Sequence, residues 1–383
     1  MRALFIGGVF LSLALFASAQ SQPQLNLMPM PASVQPGTGQ LAITQSFSVA
    51  VTGARDASLD SEVQRFQTQL SLQTGIRFRP KTGATPTLEV HADHAREAVQ
   101  KLGEDESYEL TIADSGAKLT APTTLGVLRG LQTFLQLVQI TPTGFAAPAV
   151  NIKDQPRFPW RGLLIDVSRH FIPVDVLKRN IDGMAAVKMN VLHWHLSDDQ
   201  GFRVESKKFP KLTQMGSDGL FYTQDEIRDL IAYAQERGVR IMPEFDMPGH
   251  TRSWYLGYPE LSSGAGPYTL EGGGIDPIMD PTRESTYKFL EKFIAEMAKL
   301  FPDAYFHIGG DEVDGKQWDA NPKIQEFIKA HGMKNNQDLQ AYFNQRLEKI
   351  VAKNHKTMVG WDEILHPDLP KTIVVQSWRG QAS

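Results

Sequence analysis

Residues 239–250 read VRIMPEFDMPGH. The first seven of these residues are mostly apolar and predict a buried strand, and they follow an amphipathic helical pattern at residues 223–237. Acidic residues, Pro248, Gly249 and His250 come directly after the predicted strand. A helix followed by a short apolar strand and a polar turn is the repeating unit of a parallel sheet.

The same alternation runs through the rest of the chain after Pro159. Six strands are predicted, at residues 162–167, 190–195, 239–245, 304–309, 357–360 and 372–376. The helices predicted between them include residues 174–187, 223–237, 283–300 and 338–353. Strands that alternate with helices in this way predict an α/β domain built on a barrel or an open parallel sheet.

The chain before this region has a different character. Short alternating runs at residues 47–51 and 88–91 flank a helical pattern at residues 62–74, which indicates a small α+β domain over residues 40–150. Four prolines between Pro142 and Pro159 mark a boundary, and we place the second domain at residues 156–383. Residues 20–39 are rich in Gln, Pro and Ser and are typical of a linker or an extended leading segment.

The first 19 residues have the order of a secretory signal peptide. Arg2 precedes an apolar run from Ala3 to Phe16, and Ala17-Ser18-Ala19 forms a small-residue cleavage site. The apolar run is shorter than the roughly 20 residues that a spanning helix needs. We therefore expect residues 1–19 to be removed, and the protein to be exported to the periplasm or the exterior without a membrane anchor.

Composition narrows the range of functions. The chain has 383 residues and a formal net charge of -4, so it lacks the basic excess that nucleic acid or an anionic membrane surface would attract. It contains no cysteine, which excludes disulfides, thiolate metal sites and cysteine nucleophiles. A length of this order is typical of more than one domain.

Charged and aromatic residues follow every predicted strand of the second domain, where parallel-sheet enzymes place their chemistry. They are Ser168-Arg169-His170, His193-Trp194-His195 with Asp198-Asp199, Glu244 with Asp246 and Pro248-Gly249-His250, Gly309-Gly310-Asp311-Glu312, Trp361-Asp362-Glu363, and Trp378-Arg379. Tryptophan faces stack on sugar rings, and paired carboxylates can cleave a glycosidic bond. This composition favours a carbohydrate-binding pocket.

Other interpretations of these residues stay open at this point. Asp311 and Glu312 after two glycines could form an ordinary strand-to-helix turn with Asp311 as the helix cap. His193 and His195 lie on one face of a strand and could bind zinc, with Asp311 and His250 nearby.

Three further residues are interpreted as structural. Trp194 alternates away from the two histidines and is expected in the core. Asp166 and Glu244 are expected to be buried partners of basic groups.

Residues 161–170, 190–201, 243–254 and 307–313 closely resemble the motifs of glycoside hydrolase family 20, the β-N-acetylhexosaminidases. Residues 108–138 resemble the small α+β domain that precedes the barrel in this family. The resemblance implies an α/β fold with a (β/α)8 TIM-type barrel. Since the family barrel has eight strands and Ser383 follows the sixth, we expect an incomplete barrel of about six βα units.

The resemblance also implies an activity and its residues. Glu312 would be the general acid and base, and Asp311 would orient the acetamido group of the substrate. The acetamido oxygen would attack the anomeric carbon, so the reaction would retain configuration and need no enzyme nucleophile. The expected substrate is an oligosaccharide or glycoconjugate with a terminal non-reducing N-acetylglucosamine or N-acetylgalactosamine, and no cofactor or metal is expected.

The resemblance to this family implies roles for five more residues. Arg169 would bind sugar hydroxyls, His250 and Asp198 would support Glu312, and Trp361 and Trp378 would line the acetamido pocket. Two other functions remain as alternatives: a sugar-binding protein or inactive fragment without turnover, and a metal-dependent barrel hydrolase.

Overall fold

The computed structural model describes residues 25–272 and 276–380, which form two sheets with their helices. The first sheet contains β1 (Ser33–Ile43), β2 (Val49–Gly53), β3 (Leu88–His94), β4 (Tyr108–Ala113), β5 (Gly116–Thr123), β6 (Gln139–Thr141) and β7 (Gly144–Asp154). Its strand order is β1-β7-β4-β5-β3-β2, with β6 on β7, and only β2, β3 and β5 run parallel. The predicted signal peptide lies outside the described residues.

Two helices cover this sheet, α1 (Ala57–Thr74) and α2 (Thr124–Leu137). Asp56 caps α1 by accepting a hydrogen bond from the Leu59 backbone, and Gly75 ends the helix in the left-handed region. The strand β4 alternates buried and exposed residues, as expected for a strand with one face on a core. β1 begins at Ser33, inside the stretch interpreted as a linker or leading segment, because residues from Ser33 onward pair with β7.

The second sheet contains β8 (Gly162–Asp166), β9 (Val191–Asp198), β10 (Gly201–Phe202), β11 (Arg240–Phe245), β12 (Tyr305–His307), β13 (Thr357–Trp361) and β14 (Val374–Gln376). Six of these strands run parallel in the order β8-β9-β11-β12-β13-β14, and β10 folds back on β9. The parallel sheet curls as part of a barrel. The predicted α/β fold, an incomplete TIM-type barrel preceded by an N-terminal domain, is confirmed.

Eight helices accompany the second sheet within the described residues: α3 (Val174–Ala186), α4 (Lys211–Gly216), α5 (Gln224–Glu236), α6 (Arg252–Gly257), α7 (Glu284–Leu300), α8 (Lys316–Asp319), α9 (Pro322–Ala330) and α10 (Asn336–Lys353). Thr223 and Glu226 form a capping box that starts α5 immediately before β11. In the part of the chain that the structure describes, no helix has the length and apolar character needed to cross a membrane.

The core of the second domain lies between the sheet and these helices. Every residue of β9 and β11 is buried, which is typical of strands covered on both faces. The Trp194 side chain is fully buried in this core, and its ring lies tilted against the Tyr222 ring at a centroid distance of 4.8 Å. The prediction that Trp194 is a core residue is therefore confirmed.

The two domains meet at a buried ion-pair network. The Glu106 carboxylate lies between the Arg129 guanidinium of α2, at 2.6 Å, and the Arg161 guanidinium ahead of β8, at 2.5 Å. Beside this group, the Lys188 ammonium donates a hydrogen bond to the Tyr108 hydroxyl and lies 3.1 Å from the Asp154 carboxylate. These contacts fix the N-terminal sheet against the barrel side of the chain.

Candidate active site

Asp311 and Glu312 lie in a tight turn directly after β12. Gly309 and Gly310 have φ values of +68° and +91°, and Glu312 itself has a φ of +50°. A side chain at residue 309 would place its Cβ 1.8 Å from the Asp246 Oδ1 atom, so only glycine fits there. The turn brings both carboxyl groups to the same imidazole: His250 Nε2 is 3.7 Å from Asp311 Oδ2 and 3.4 Å from Glu312 Oε2.

His250 follows β11 and also has a left-handed backbone, with a φ of +52°. Its Nδ1 atom lies 3.2 Å from Asp198 Oδ1 at the end of β9. Burial would lower the pKa of His250, but the Asp198 hydrogen bond and the neighbouring carboxyl groups of Asp246, Asp198 and Asp311 raise it to about 10. A left-handed conformation at a non-glycine residue is costly and is often found at functional sites.

Asp198 connects three cationic groups. Its Oδ2 atom lies 2.7 Å from Arg169 Nη2 and 2.8 Å from His195 Nε2, while its Oδ1 faces His250. Burial opposes ionisation, but hydrogen bonds from His195 and His250 lower the pKa of Asp198 to about 2. Asp198 is therefore an ionised anchor at the centre of the site.

Arg169 lies at the edge of this cluster. Its Nη1 atom is 2.9 Å from Asp166 Oδ2, and its side chain remains 41% exposed. The ion pair confirms that Asp166 is the partner of a basic group, although Asp166 is only partly buried. The exposed part of the guanidinium has room for a ligand hydroxyl.

A second buried cluster lies below the first and is centred on Glu244. His193 Nε2 and His195 Nδ1 lie 2.7 and 2.8 Å from Glu244 Oε2, and His307 Nδ1 and Trp361 Nε1 lie 3.1 and 2.9 Å from Glu244 Oε1. Burial opposes ionisation of Glu244, but its close contacts with the three histidines hold its pKa well below the usual value. The expectation that Glu244 is a buried partner of basic groups is confirmed.

The same cluster contains one of the four groups of residues that could hold a metal ion in the described part of the chain. His193, Glu244 and His307 offer ligand atoms within 4.8 Å of one another. By residue type they suit zinc. In their present arrangement His193 Nε2 and His307 Nδ1 lie 2.7 and 3.1 Å from the Glu244 carboxylate itself.

The two predicted pocket tryptophans occupy different surroundings. Trp361 ends β13 with its indole nitrogen on Glu244, which places the ring against the His193 and His307 rings. Trp378 follows β14, is 52% exposed, and donates from its indole nitrogen to the Glu363 carboxylate. The structure thus brings Trp361, but not Trp378, into hydrogen-bonded contact with the buried clusters.

Sequence reasoning assigned no role in the site to Asp246 or His307. Asp246 is buried next to Asp311, and His307 is the residue of β12 that meets Glu244. The period-two alternation could have identified Asp246, because it lies on the same face of its strand as Glu244. His307 lies only four residues before Asp311. This closeness in sequence was a weaker indication that His307 belongs to the site.

A curled parallel sheet whose strand ends carry an arginine, a histidine and several carboxylates is typical of barrel-type hydrolases. Comparison with protein families shows which hydrolase family the chain resembles. The family profile "Glycosyl hydrolase family 20, catalytic domain" matches residues 158–383, and "Glycosyl hydrolase family 20, domain 2" matches residues 24–155. The chain belongs to glycosyl hydrolase family 20.

Similar proteins agree with this assignment. A beta-hexosaminidase of Porphyromonas gingivalis is 33% identical over 378 residues, which are 93% of this chain and 48% of that protein. The crystal structure of a Flavobacterium johnsoniae chitobiase matches with a TM-score of 0.89 and 46% identity, over 94% of this chain and 55% of the other. An exo β-N-acetylglucosaminidase of Vibrio harveyi, solved with N-acetylglucosamine, matches with a TM-score of 0.78 and 29% identity, over 92% and 57% of the two chains. This chain therefore spans about half the length of these relatives.

Proposed function

We propose that this chain acts as an exo-β-N-acetylhexosaminidase that removes terminal N-acetylglucosamine or N-acetylgalactosamine from oligosaccharides and glycoconjugates. The observation that carries the proposal is the adjacency of Asp311 and Glu312 on one imidazole, His250. Membership of glycosyl hydrolase family 20 supports it, as does the N-acetylglucosamine held by the Vibrio harveyi relative.

Glu312 is the general acid and base of the proposed reaction. Its side chain is 59% exposed, so it can approach the oxygen of a leaving sugar. His250 and Asp198 lie behind it in a line of hydrogen-bonding groups that ends at the buried His195. A carboxyl group held in this way can donate a proton to the leaving group and later accept one from water.

Asp311 holds the acetamido group of the substrate. In the proposed mechanism the acetamido oxygen attacks the anomeric carbon, the bond to the leaving oxygen breaks, and Glu312 supplies the proton to that oxygen. An ionised Asp311 beside the acetamido N–H stabilises the positive charge that develops on the cyclic intermediate. Water then opens the intermediate and the product keeps the β configuration.

Three residues complete the proposed substrate site. Arg169 binds sugar hydroxyls with the exposed part of its guanidinium. Trp361 presents its ring at the end of β13, and Trp378 presents an exposed ring at the end of β14. Aromatic faces at these strand ends would pack on the apolar surfaces of the acetamido group and the sugar ring.

Two conservative variants test the assignment of the carboxylates. Glu312→Gln should reduce kcat on para-nitrophenyl N-acetyl-β-glucosaminide by roughly 10²- to 10⁴-fold, the usual contribution of a general acid, while ligand binding measured by calorimetry persists. Asp311→Asn should impair turnover through its effect on the acetamido group. Both variants should be measured in this chain and in a form to which two further barrel strands of a family member are added.

The outcomes separate the alternatives. The proposal is supported if either form hydrolyses the substrate and if Glu312→Gln abolishes that hydrolysis. Binding of an N-acetylglucosamine thiazoline without hydrolysis in either form favours a sugar-binding function instead. Activity that a chelator removes and zinc restores favours a metal-dependent hydrolase.

We also propose that the protein is exported, to the periplasm or the exterior. The proposal rests on the signal-peptide pattern of residues 1–19. The amino-terminal sequence of the protein recovered from expressing cells should begin after Ala19. Recovery of the intact amino terminus from the cytoplasm would contradict export.

A further inference from the structure

Asp246 is a carboxyl group that the proposed mechanism does not use. It follows β11 by one residue and is 1% exposed. Its Oδ1 atom accepts a hydrogen bond from the Gly310 backbone N–H at 3.0 Å, which ties it to the turn that carries Asp311. Asp246 therefore contacts the active-site turn directly.

The Asp246 and Asp311 carboxyl groups are neighbours in the structure. Among the described residues neither Asp246 Oδ2 nor Asp311 Oδ1 receives a hydrogen bond from an N–H donor or a hydroxyl group, although both atoms are buried. The two carboxyl groups offer oxygens within 4.8 Å of each other, so a proton on one of them could bridge the pair. Two carboxyl groups can share a hydrogen bond only if one of them carries a proton.

The surroundings decide which carboxyl group holds that proton. Burial and the negative charge of Asp311 raise the pKa of Asp246 well above its usual value, and Glu244 and Asp198 add to the effect against the opposing charge of His250. The pKa of Asp311 is also raised, by burial above all and by Glu244, but His250 and Asp246 oppose the rise. The Asp311 side chain is 18% exposed and borders His250, so it has the better environment for a negative charge.

We propose that Asp246 is a positioning residue that stays protonated and donates its carboxyl hydrogen bond to Asp311. The inference rests on the proposed function, in which Asp311 must be ionised and fixed to hold the acetamido group. The hydrogen bond occupies Asp311 Oδ1 and leaves Oδ2 facing His250 and the cleft. Asp246 thus acts on the reaction through Asp311 without touching the substrate.

Other charged groups around Asp246 are consistent with a neutral Asp246. The ionised Asp198 and Glu244 lie nearby, and each already has its own cationic partners. Arg169 is the other cation that interacts electrostatically with Asp246, and it already forms ion pairs with Asp198 and Asp166. A charge on Asp246 would therefore be left without a cation of its own in a buried place.

Difference infrared spectroscopy tests the protonation state without substrate. The wild-type protein at neutral pH should show the C=O stretch of a protonated carboxylic acid, and Asp246→Asn should remove it. The asparagine keeps the shape, donates from its amide to Asp311, and accepts from the Gly310 N–H. Asp280→Asn is the matched control, since buried Asp280 lies 2.8 Å from the Arg283 guanidinium and its substitution should leave the band unchanged.

Two results would overturn the proposal. One is a wild-type spectrum at neutral pH without any protonated carboxyl band, which needs no folded variant. The other is a band that persists unchanged in Asp246→Asn, which would assign the proton elsewhere.

Kinetics give the second readout, in whichever form of the chain is active. Asp246→Asn should keep most of the turnover, whereas Asp246→Ala should lower kcat on the order of a hundredfold, the cost of misplacing a reacting group by about an ångström, with a smaller effect on KM. Equal losses in both variants would contradict the positioning role. A protonated carboxyl band without turnover in any form of the chain contradicts the proposed function but supports the protonation of Asp246. Turnover without that band supports the proposed function but contradicts the protonation of Asp246.

Discussion

His195 has both ring nitrogens against carboxylate oxygens at the centre of the site. Its Nδ1 lies 2.8 Å from Glu244 Oε2 and its Nε2 lies 2.8 Å from Asp198 Oδ2. Burial would lower the pKa of His195, but Glu244 and Asp198 raise it to about 10 from the ordinary value of 6.5. A doubly protonated imidazole is the form that satisfies both carboxylates.

This contact predicts a loss of stability at alkaline pH. Because the folded pKa is raised, the contribution of His195 is fully present below about pH 6.5 and is lost as the pH rises through about 10. The free energy of unfolding of the wild-type protein should fall by a few kcal/mol more than that of His195→Gln over this range, measured by urea denaturation. An exposed-site control, His331→Gln, should follow the wild-type curve, and parallel curves for all three proteins would contradict the assignment.

Gly309 carries a prediction about the turn itself. Gly309→Ala should lower the free energy of unfolding by about 3 kcal/mol, because the new Cβ would lie 1.8 Å from Asp246 Oδ1 in a left-handed conformation. Gly332→Ala is the control, since residue 332 has a similar φ of +66° with open space around it and should lose only about 1 kcal/mol. Equal losses measured by chemical denaturation would show that the contact with Asp246 is absent.

Single residues could be predicted where local pattern decides their place. Strand alternation predicts Trp194 in the core, Glu244 is expected to be a buried partner of basic groups, and the structure confirms both. The pairing of Asp246 with Asp311 and of His307 with Glu244 could not be predicted, because it depends on how β11 and β12 lie side by side. That register is a property of the sheet and not of either strand.

At the scale of elements, all six parallel strands occur where the apolar runs predict them. β12 is shorter than its prediction at residues 304–309, since the observed strand covers only Tyr305–His307. The positive φ of Gly309 and Gly310 turns the chain out of the sheet, and this turn is what aims Asp311 and Glu312. The apolar pattern continues through Ile308, so it could not mark the end of the strand.

For β1 the error is in the opposite direction, because the sequence did not predict a strand at its first residues. It covers residues 33–43 and reaches into a stretch that the composition describes as a linker or leading segment. Its partner β7 lies more than 100 residues later, with Ser33 opposite Lys153. A polar edge strand of this kind is formed by its neighbour's hydrogen bonds, and nothing in its own residues predicts them.

At the scale of the whole molecule, Glu106 connects the two domains through Arg129 and Arg161. Glu106→Gln should lower the free energy of unfolding by about 3 kcal/mol, because it leaves the buried Arg129 guanidinium and the partly buried Arg161 guanidinium without their carboxylate. Glu109→Gln removes an exposed pair with Lys153 and should cost at most about 1 kcal/mol. Calorimetry measures both, and similar losses would contradict a structural link at Glu106.

The central claim is that Asp311 and Glu312 direct the substrate's own acetamido group to its anomeric carbon. The most direct test compares hydrolysis of para-nitrophenyl N-acetyl-β-glucosaminide with that of para-nitrophenyl β-glucoside, which lacks the acetamido group, by the active form of the chain. We predict cleavage of the first substrate with β product formed initially, and no measurable cleavage of the second. Comparable cleavage of both substrates, or α product from the first, would contradict the account.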